Sequence, residues 1–216
     1  MELKGKKIVF LGDSITEGHG VSDRENTFVS RIGRECREAV NCGIGGTRIA
    51  RQTNPSNERW DLDFCLRAKE LDVDADAVVV FGGTNDFGHG DAPIGTFEDR
   101  TEYTFWGACH CLMQTLLERY PGKPILICTP IHRLTEDNPK GDGGKAEPTG
   151  PLSLYVNIIR EAAAYYALPV LDLWAESGIQ PKVPVIREKF CPDGLHPNDA
   201  GHALLAERIL SKLRTL

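Results

Sequence analysis

The chain has 216 residues, 41% of them hydrophobic and 26% charged, enough length and apolar content for one domain with a substantial core. Its 25 Lys and Arg against 31 Asp and Glu give a net charge of −6, and no basic run or basic helical face stands out, which argues against nucleic acid and anionic membranes as partners. No stretch approaches the ~18 apolar residues that span a bilayer, and the first apolar run is too short for a signal-peptide core, so a cytoplasmic location is expected.

Ile8-Val9-Phe10-Leu11 forms an apolar run that stops abruptly at Gly12-Asp13-Ser14. This pattern reads as a strand buried on both faces, as in a parallel sheet, with Ser14 on the following strand-to-helix turn. Open α/β sheets bind ligands outside the carboxyl ends of their strands, so a hydroxyl placed there can serve as a nucleophile; the alternative is that Ser14 only caps the next helix. A helix is expected next, with Phe28, Ile32 and Cys36 every four residues and Asn26 as its cap. A second strand, about Ala39 to Ile44, runs into Gly45-Gly46-Thr47, whose glycines can expose backbone N–H groups or take positive φ.

Residues 47–60 are polar and carry no period, whereas 61–71 read as a short helix. Asp76 to Phe81 is the clearest strand, bounded by Gly82-Gly83-Thr84-Asn85-Asp86. A loop over 87–100 precedes a long amphipathic helix marked by Trp106, Cys109, Leu112, Met113, Leu116, Leu117 and Tyr120. Pro124 to Cys128 is a fourth strand, ending near His132 and Arg133. Leu134 to Gly150, rich in Gly, Pro and charge, reads as a long flexible loop, of the kind that forms lids, binding loops or disordered stretches. A helix through Tyr155, Ile158, Ile159, Ala162 and Tyr166 leads to a fifth strand, Pro169 to Leu173. The chain is then irregular from about Gly178 to Leu195, and a final helix begins near Pro197 with Leu205, Ile209 and Leu213 facing inward. This alternation of strands and helices is the pattern of an α/β fold.

The seven cysteines are an odd number in apolar or helical contexts, which favours reduced thiols. Cys109 and Cys111 lie two apart in a helical pattern and face away from each other, so no metal site is expected. Asp193 and His196 share a short turn, close enough for the carboxylate to orient the imidazole. With Ser14 they would complete a nucleophile, base and orienter, and the Gly turn and Asn85 could supply an oxyanion hole.

These residues resemble the SGNH hydrolases, the GDSL family of esterases and lipases. Gly12-Asp13-Ser14-Ile15 is similar to the nucleophile block, with Ile for the usual Leu; Asn41-x-Gly43-x-x-Gly46 to the glycine block; Gly83-Thr84-Asn85-Asp86 to G-x-N-D; and Asp193-Gly-Leu-His196 to D-x-x-H. The resemblance implies a flavodoxin-like three-layer α/β/α sandwich with a five-stranded parallel sheet, a triad of Ser14, His196 and Asp193, and an oxyanion hole from the N–H groups of Ser14 and Gly46 with the Asn85 amide. Gly45 adjoins Gly46, and the spacing from Asn41 is what favours the latter. No cofactor is implied, and the partner would be a small ester or an acetylated sugar. Asp13, His132 and Arg133, all near strand ends, are candidate substrate contacts. A catalytically silent carbohydrate-binding protein on the same fold is the rival reading. A flavin or nucleotide binder would call for a phosphate-binding glycine motif, which the chain lacks.

Overall fold

The computed structural model describes residues 1–55 and 57–216; Ser56, inside the 47–60 segment, lies outside the described residues. Five strands, β1 (Lys7–Gly12), β2 (Glu38–Gly43), β3 (Ala77–Phe81), β4 (Ile125–Cys128) and β5 (Val170–Leu171), form one sheet in the order β2-β1-β3-β4-β5. Every neighbouring pair is parallel. The helices, in chain order, are α1 (Ser14–Glu17), α2 (Phe28–Gly33), α3 (Phe64–Ala68), α4 (Thr84–His89), α5 (Phe105–Arg119), α6 (Leu152–Tyr165), α7 (Leu173–Glu176), α8 (Pro184–Phe190) and α9 (Asp199–Arg214).

Side chains alternate through the sheet, so each strand feeds two cores. Val9, Leu11, Val78 and Val80 pack with Phe64, Leu112 and Ile159 from α3, α5 and α6, whereas Ile8, Phe10, Val79 and Phe81 pack with Phe28 of α2 and Leu205 and Ile209 of α9. The result is the expected three-layer α/β/α sandwich. Chain direction diverges at β1, which has β2 on one side and β3 on the other, and this is where ligands bind in such sheets. Gly12 pairs with Gly43 and with Phe81, so the three chains leaving these residues emerge side by side.

Several elements differ from the sequence expectation. Thr27, not Asn26, caps α2, accepting the Ser30 N–H at 3.0 Å, and the helix ends at Gly33, leaving Cys36 outside it. Residues 84–89, expected as turn and loop, form α4, which starts from Gly83 at φ 104° without a side-chain cap and so lacks the usual start signal. The irregular stretch before Leu195 contains α8, β5 is only two residues long, and Asn198 rather than Pro197 sets the start of α9 by accepting from Ala200 and Gly201 N–H.

The 134–150 segment holds no helix or strand, as expected, but polar contacts fix it at several points. Buried Glu136 accepts from His132 Nδ1 at 2.8 Å, Lys182 Nζ at 2.8 Å and the Arg133 N–H at 3.1 Å. Lys145 donates to Asp86 O, Thr149 Oγ1 and Tyr155 Oη at 2.7, 3.0 and 2.9 Å. These polar anchors hold a segment that hydrophobic periodicity cannot place.

A buried histidine is expected to make the fold acid-sensitive. His202 Nδ1 accepts the Phe28 N–H at 3.1 Å, joining α9 to α2, and burial pushes its pKa down to about 4 from 6.5. Between those values the unfolded chain binds a proton that the folded chain refuses. The stability contributed by neutral His202 is therefore full above about pH 6.5 and lost as pH falls, by up to ~1.4 kcal/mol per unit. His202→Asn, whose Oδ1 can take the same N–H, is expected to flatten the fall in melting temperature between pH 7 and 5. An equal fall in both proteins would locate the acid sensitivity elsewhere.

Candidate active site

Gly12 ends β1 where a Cβ would stand 1.9 Å from Thr16 Oγ1, so the chain can turn tightly into α1. Asp13 caps that helix, its Oδ1 accepting the Ile15 N–H at 3.0 Å, which leaves the neighbouring Ser14 hydroxyl free of capping. Ser14 Oγ lies 3.1 Å from His196 Nε2, and His196 Nδ1 lies 2.7 Å from Asp193 Oδ2. With Nδ1–H donated to the carboxylate, Nε2 is the acceptor facing the hydroxyl. Asp193 Oδ1 takes the N–H groups of Leu195 and His196 at 2.8 and 2.6 Å. Burial works against ionisation of Asp193, but these N–H groups and the imidazole overcome it and hold the carboxyl below its ordinary value.

The exits of β2 and β3 complete the cleft, whose volume is about 290 Å³. Thr47 N–H bonds to Ile44 O at 3.3 Å and Gly46 has φ 79°, the pattern of a type II turn with glycine at the third position. Gly45 N–H is occupied by Glu17 Oε2 at 2.6 Å, while the Gly46 N–H meets no acceptor among the described residues. Asn85, on α4, gives one amide hydrogen to Thr47 O at 3.0 Å and lines the cleft beside Ser14 and Gly46. Behind it, buried Asp86 accepts the Ile49 and Ala50 N–H groups at 2.9 Å each, fastening the chain after the glycine turn to α4. Burial pushes the Asp86 carboxyl up to about 6 in spite of these bonds.

The expected substrate contacts sit elsewhere. Asp13 is 1% exposed and does not line the cleft, and burial pushes its carboxyl up to about 7. His132 packs on Trp174 at 3.7 Å between ring centres and pairs with Glu136. Arg133 is buried against Thr84 O and reaches the cleft wall only through Asp142, with which it forms an ion pair. The residues that do form the walls include Glu17, Arg59, Trp60, His89 and Asp142. Trp60, 40% exposed, leans on His89 with ring centres 4.9 Å apart, and its Nε1 would stand 2.2 Å from a Cβ on Gly46. The one sequence signal for Arg59 and Trp60 is that their segment leaves the sheet directly after the glycine turn. Among the described residues, no cluster of three or more His, Cys, Asp or Glu could hold a metal ion, and no helix is long and apolar enough to cross a membrane.

A parallel α/β/α sandwich with this cleft at its topological switch point is the frame of an acyl hydrolase. The chain belongs to the GDSL-like lipase/acylhydrolase family, whose sequence model matches residues 10–204. It is similar to a protein of known crystal structure from Lactobacillus plantarum, with 29% identity and a TM-score of 0.84 over 99% of this chain and 98% of that one. An acetyl xylan esterase is 25% identical, with a TM-score of 0.64 over 96% of this chain and 99% of that one. A lipase/acylhydrolase from Enterococcus faecalis shares the fold at 23% identity, with a TM-score of 0.65 and coverage of 97% and 96%. No curated protein sequence matches the chain.

Proposed function

We propose that the protein is a serine ester hydrolase that acts on small soluble esters or O-acetylated carbohydrates through an acyl-enzyme intermediate. The observation that carries this reading is the hydrogen-bond series from Ser14 Oγ to His196 at 3.1 Å and from His196 to Asp193 at 2.7 Å. Ser14 Oγ attacks the ester carbonyl as His196 Nε2 takes its proton. The same nitrogen then returns the proton to the leaving alcohol, and Asp193 stabilises the imidazolium between these steps. The N–H groups of Ser14 and Gly46 and the free amide hydrogen of Asn85 receive the oxyanion. Water, deprotonated by His196, releases the acid by the same path in reverse.

Reaction with a fluorophosphonate probe tests this reading, because the probe phosphonylates an activated serine. Labelling confined to Ser14 is expected; a folded protein that resists the probe would leave the carbohydrate-binding reading in its place.

Preference for small acyl groups is supported by the Trp60 indole, which stands in the cleft wall beside Gly46. Trp60→Ala is expected to raise kcat/KM for hexanoyl relative to acetyl p-nitrophenyl esters by about tenfold or more, the scale of opening a pocket by a few methylenes. An unchanged ratio would place the acyl group away from the indole. Acetylated sugars assayed beside these esters discriminate between the two substrate classes.

A further inference from the structure

The geometry assigns Glu17 as a positioning residue for the oxyanion hole, holding the Gly45–Gly46 turn so that the Gly46 N–H faces the carbonyl attacked by Ser14. This role presupposes the serine hydrolase reading and adds a residue to its machinery. Glu17 is the last residue of α1, whose first residue is Ser14, so the nucleophile and the tether share one short rigid element. Its Oε2 takes the Gly45 N–H at 2.6 Å and its Oε1 pairs with Arg59.

The turn needs such a tether. Two consecutive glycines give it the freedom to rotate its central peptide, and that rotation would replace the Gly46 N–H with the Gly45 carbonyl, an acceptor where a donor is required. Contacts on either side already bind β2 to α1: Asn41 Nδ2 donates to Thr16 O at 2.7 Å, and a Cβ on Gly43 would stand 2.2 Å from the Glu17 nitrogen. Trp60 closes the far side of Gly46, where a Cβ would meet its Nε1 at 2.2 Å. Glu17 holds the Ile44–Gly45 peptide, which leads directly into the rotating Gly45–Gly46 peptide, and so fixes the frame from which that peptide is presented.

A carboxylate beside a developing oxyanion would by itself oppose catalysis. The Arg59 guanidinium offsets that charge, so the tether acts through its hydrogen bond and adds little net field. Burial opposes ionisation of Glu17, and Arg59 with the Gly45 N–H overcomes it, leaving the carboxyl below its ordinary value.

The test compares the wild type with Glu17→Ala and Glu17→Gln on p-nitrophenyl acetate, with fluorophosphonate labelling and affinity for a phenylboronic acid as further readouts. A boronate on Ser14 places an oxygen in the oxyanion hole, which makes its affinity sensitive to hole geometry. Glu17→Ala is expected to lower kcat about tenfold or more, short of the ~10²–10³ for deleting a donor outright, with KM nearly unchanged and boronate affinity weakened in parallel. Glu17→Gln keeps an acceptor for the Gly45 N–H and is expected to recover most of the loss. Wild-type kcat and boronate affinity in Glu17→Ala, or equal impairment in both variants, would overturn the role while leaving the hydrolase reading intact. A wild type inert to both ester and fluorophosphonate would instead overturn the hydrolase reading and this role together. Should Glu17→Ala fail to fold, Glu17→Asp carries the same expectation, since it withdraws the carboxylate by one methylene.

Discussion

Ser14→Ala is expected to lower kcat for any ester the wild type hydrolyses by about 10⁴-fold or more, because nucleophile and base act as a unit and removal of either disables both. The variant should fold normally. Ser14 contributes no cap to α1, since Asp13 accepts the Ile15 N–H, and the hydroxyl gives up only its bond to His196 at 3.1 Å. His196 keeps its orientation through Asp193, so the imidazole remains in place with nothing to activate. The residual rate would come from binding and oxyanion stabilisation of attack by water. Turnover within about tenfold of wild type, in a variant with an unchanged melting temperature, would mean that another group performs the attack and that the Ser14–His196 contact is structural.

The parts of this fold that were legible in the sequence are those whose signal is apolar and local. Val78-Val79-Val80 and Ile8-Val9-Phe10-Leu11 announce buried strands because both faces of a parallel sheet are covered and no polar alternation interrupts them. α4 escaped because all but its last residue is buried, so it has no polar face to set a helical period, and because Gly83 starts it without a side-chain cap. α8 escaped for the opposite reason, having no buried residue at all. Ser14, Asn85, Asp193 and His196 could be found because each follows a strand end or shares a short turn with its partner. The cleft walls could not. Trp60 meets His89, and Glu17 meets Arg59, through contacts between segments 29 and 42 residues apart, and nothing in either local pattern encodes the meeting. His132 and Arg133 lie outside the cleft lining for a related reason: lying near a strand end puts a residue near the site, but Glu136 and Asp142 claim their side chains.

Asn85→Ala is expected to cost on the order of 10² to 10³ in kcat, the scale for removing one oxyanion-hole donor, with much less change in KM. Two consequences of the substitution have to be separated. Besides its free amide hydrogen, Asn85 gives a hydrogen bond of 3.0 Å to Thr47 O, next to the glycine turn, and Thr47 is fully buried. Losing that bond leaves a buried carbonyl unpaired, worth about 1–3 kcal/mol of stability, and loosens the turn that carries Gly46. A fall in melting temperature is therefore expected alongside the fall in kcat. Asn85→Ser tells the two apart, because its shorter hydroxyl can satisfy at most one of the two sites. If the hydroxyl bonds Thr47 O, stability returns while kcat stays low, and the catalytic loss belongs to the missing donor. If stability and kcat return together, Asn85 acts by fastening the turn. A loss appearing only in KM would make Asn85 a ground-state contact, and the oxyanion would have to rest on the Ser14 and Gly46 N–H groups alone.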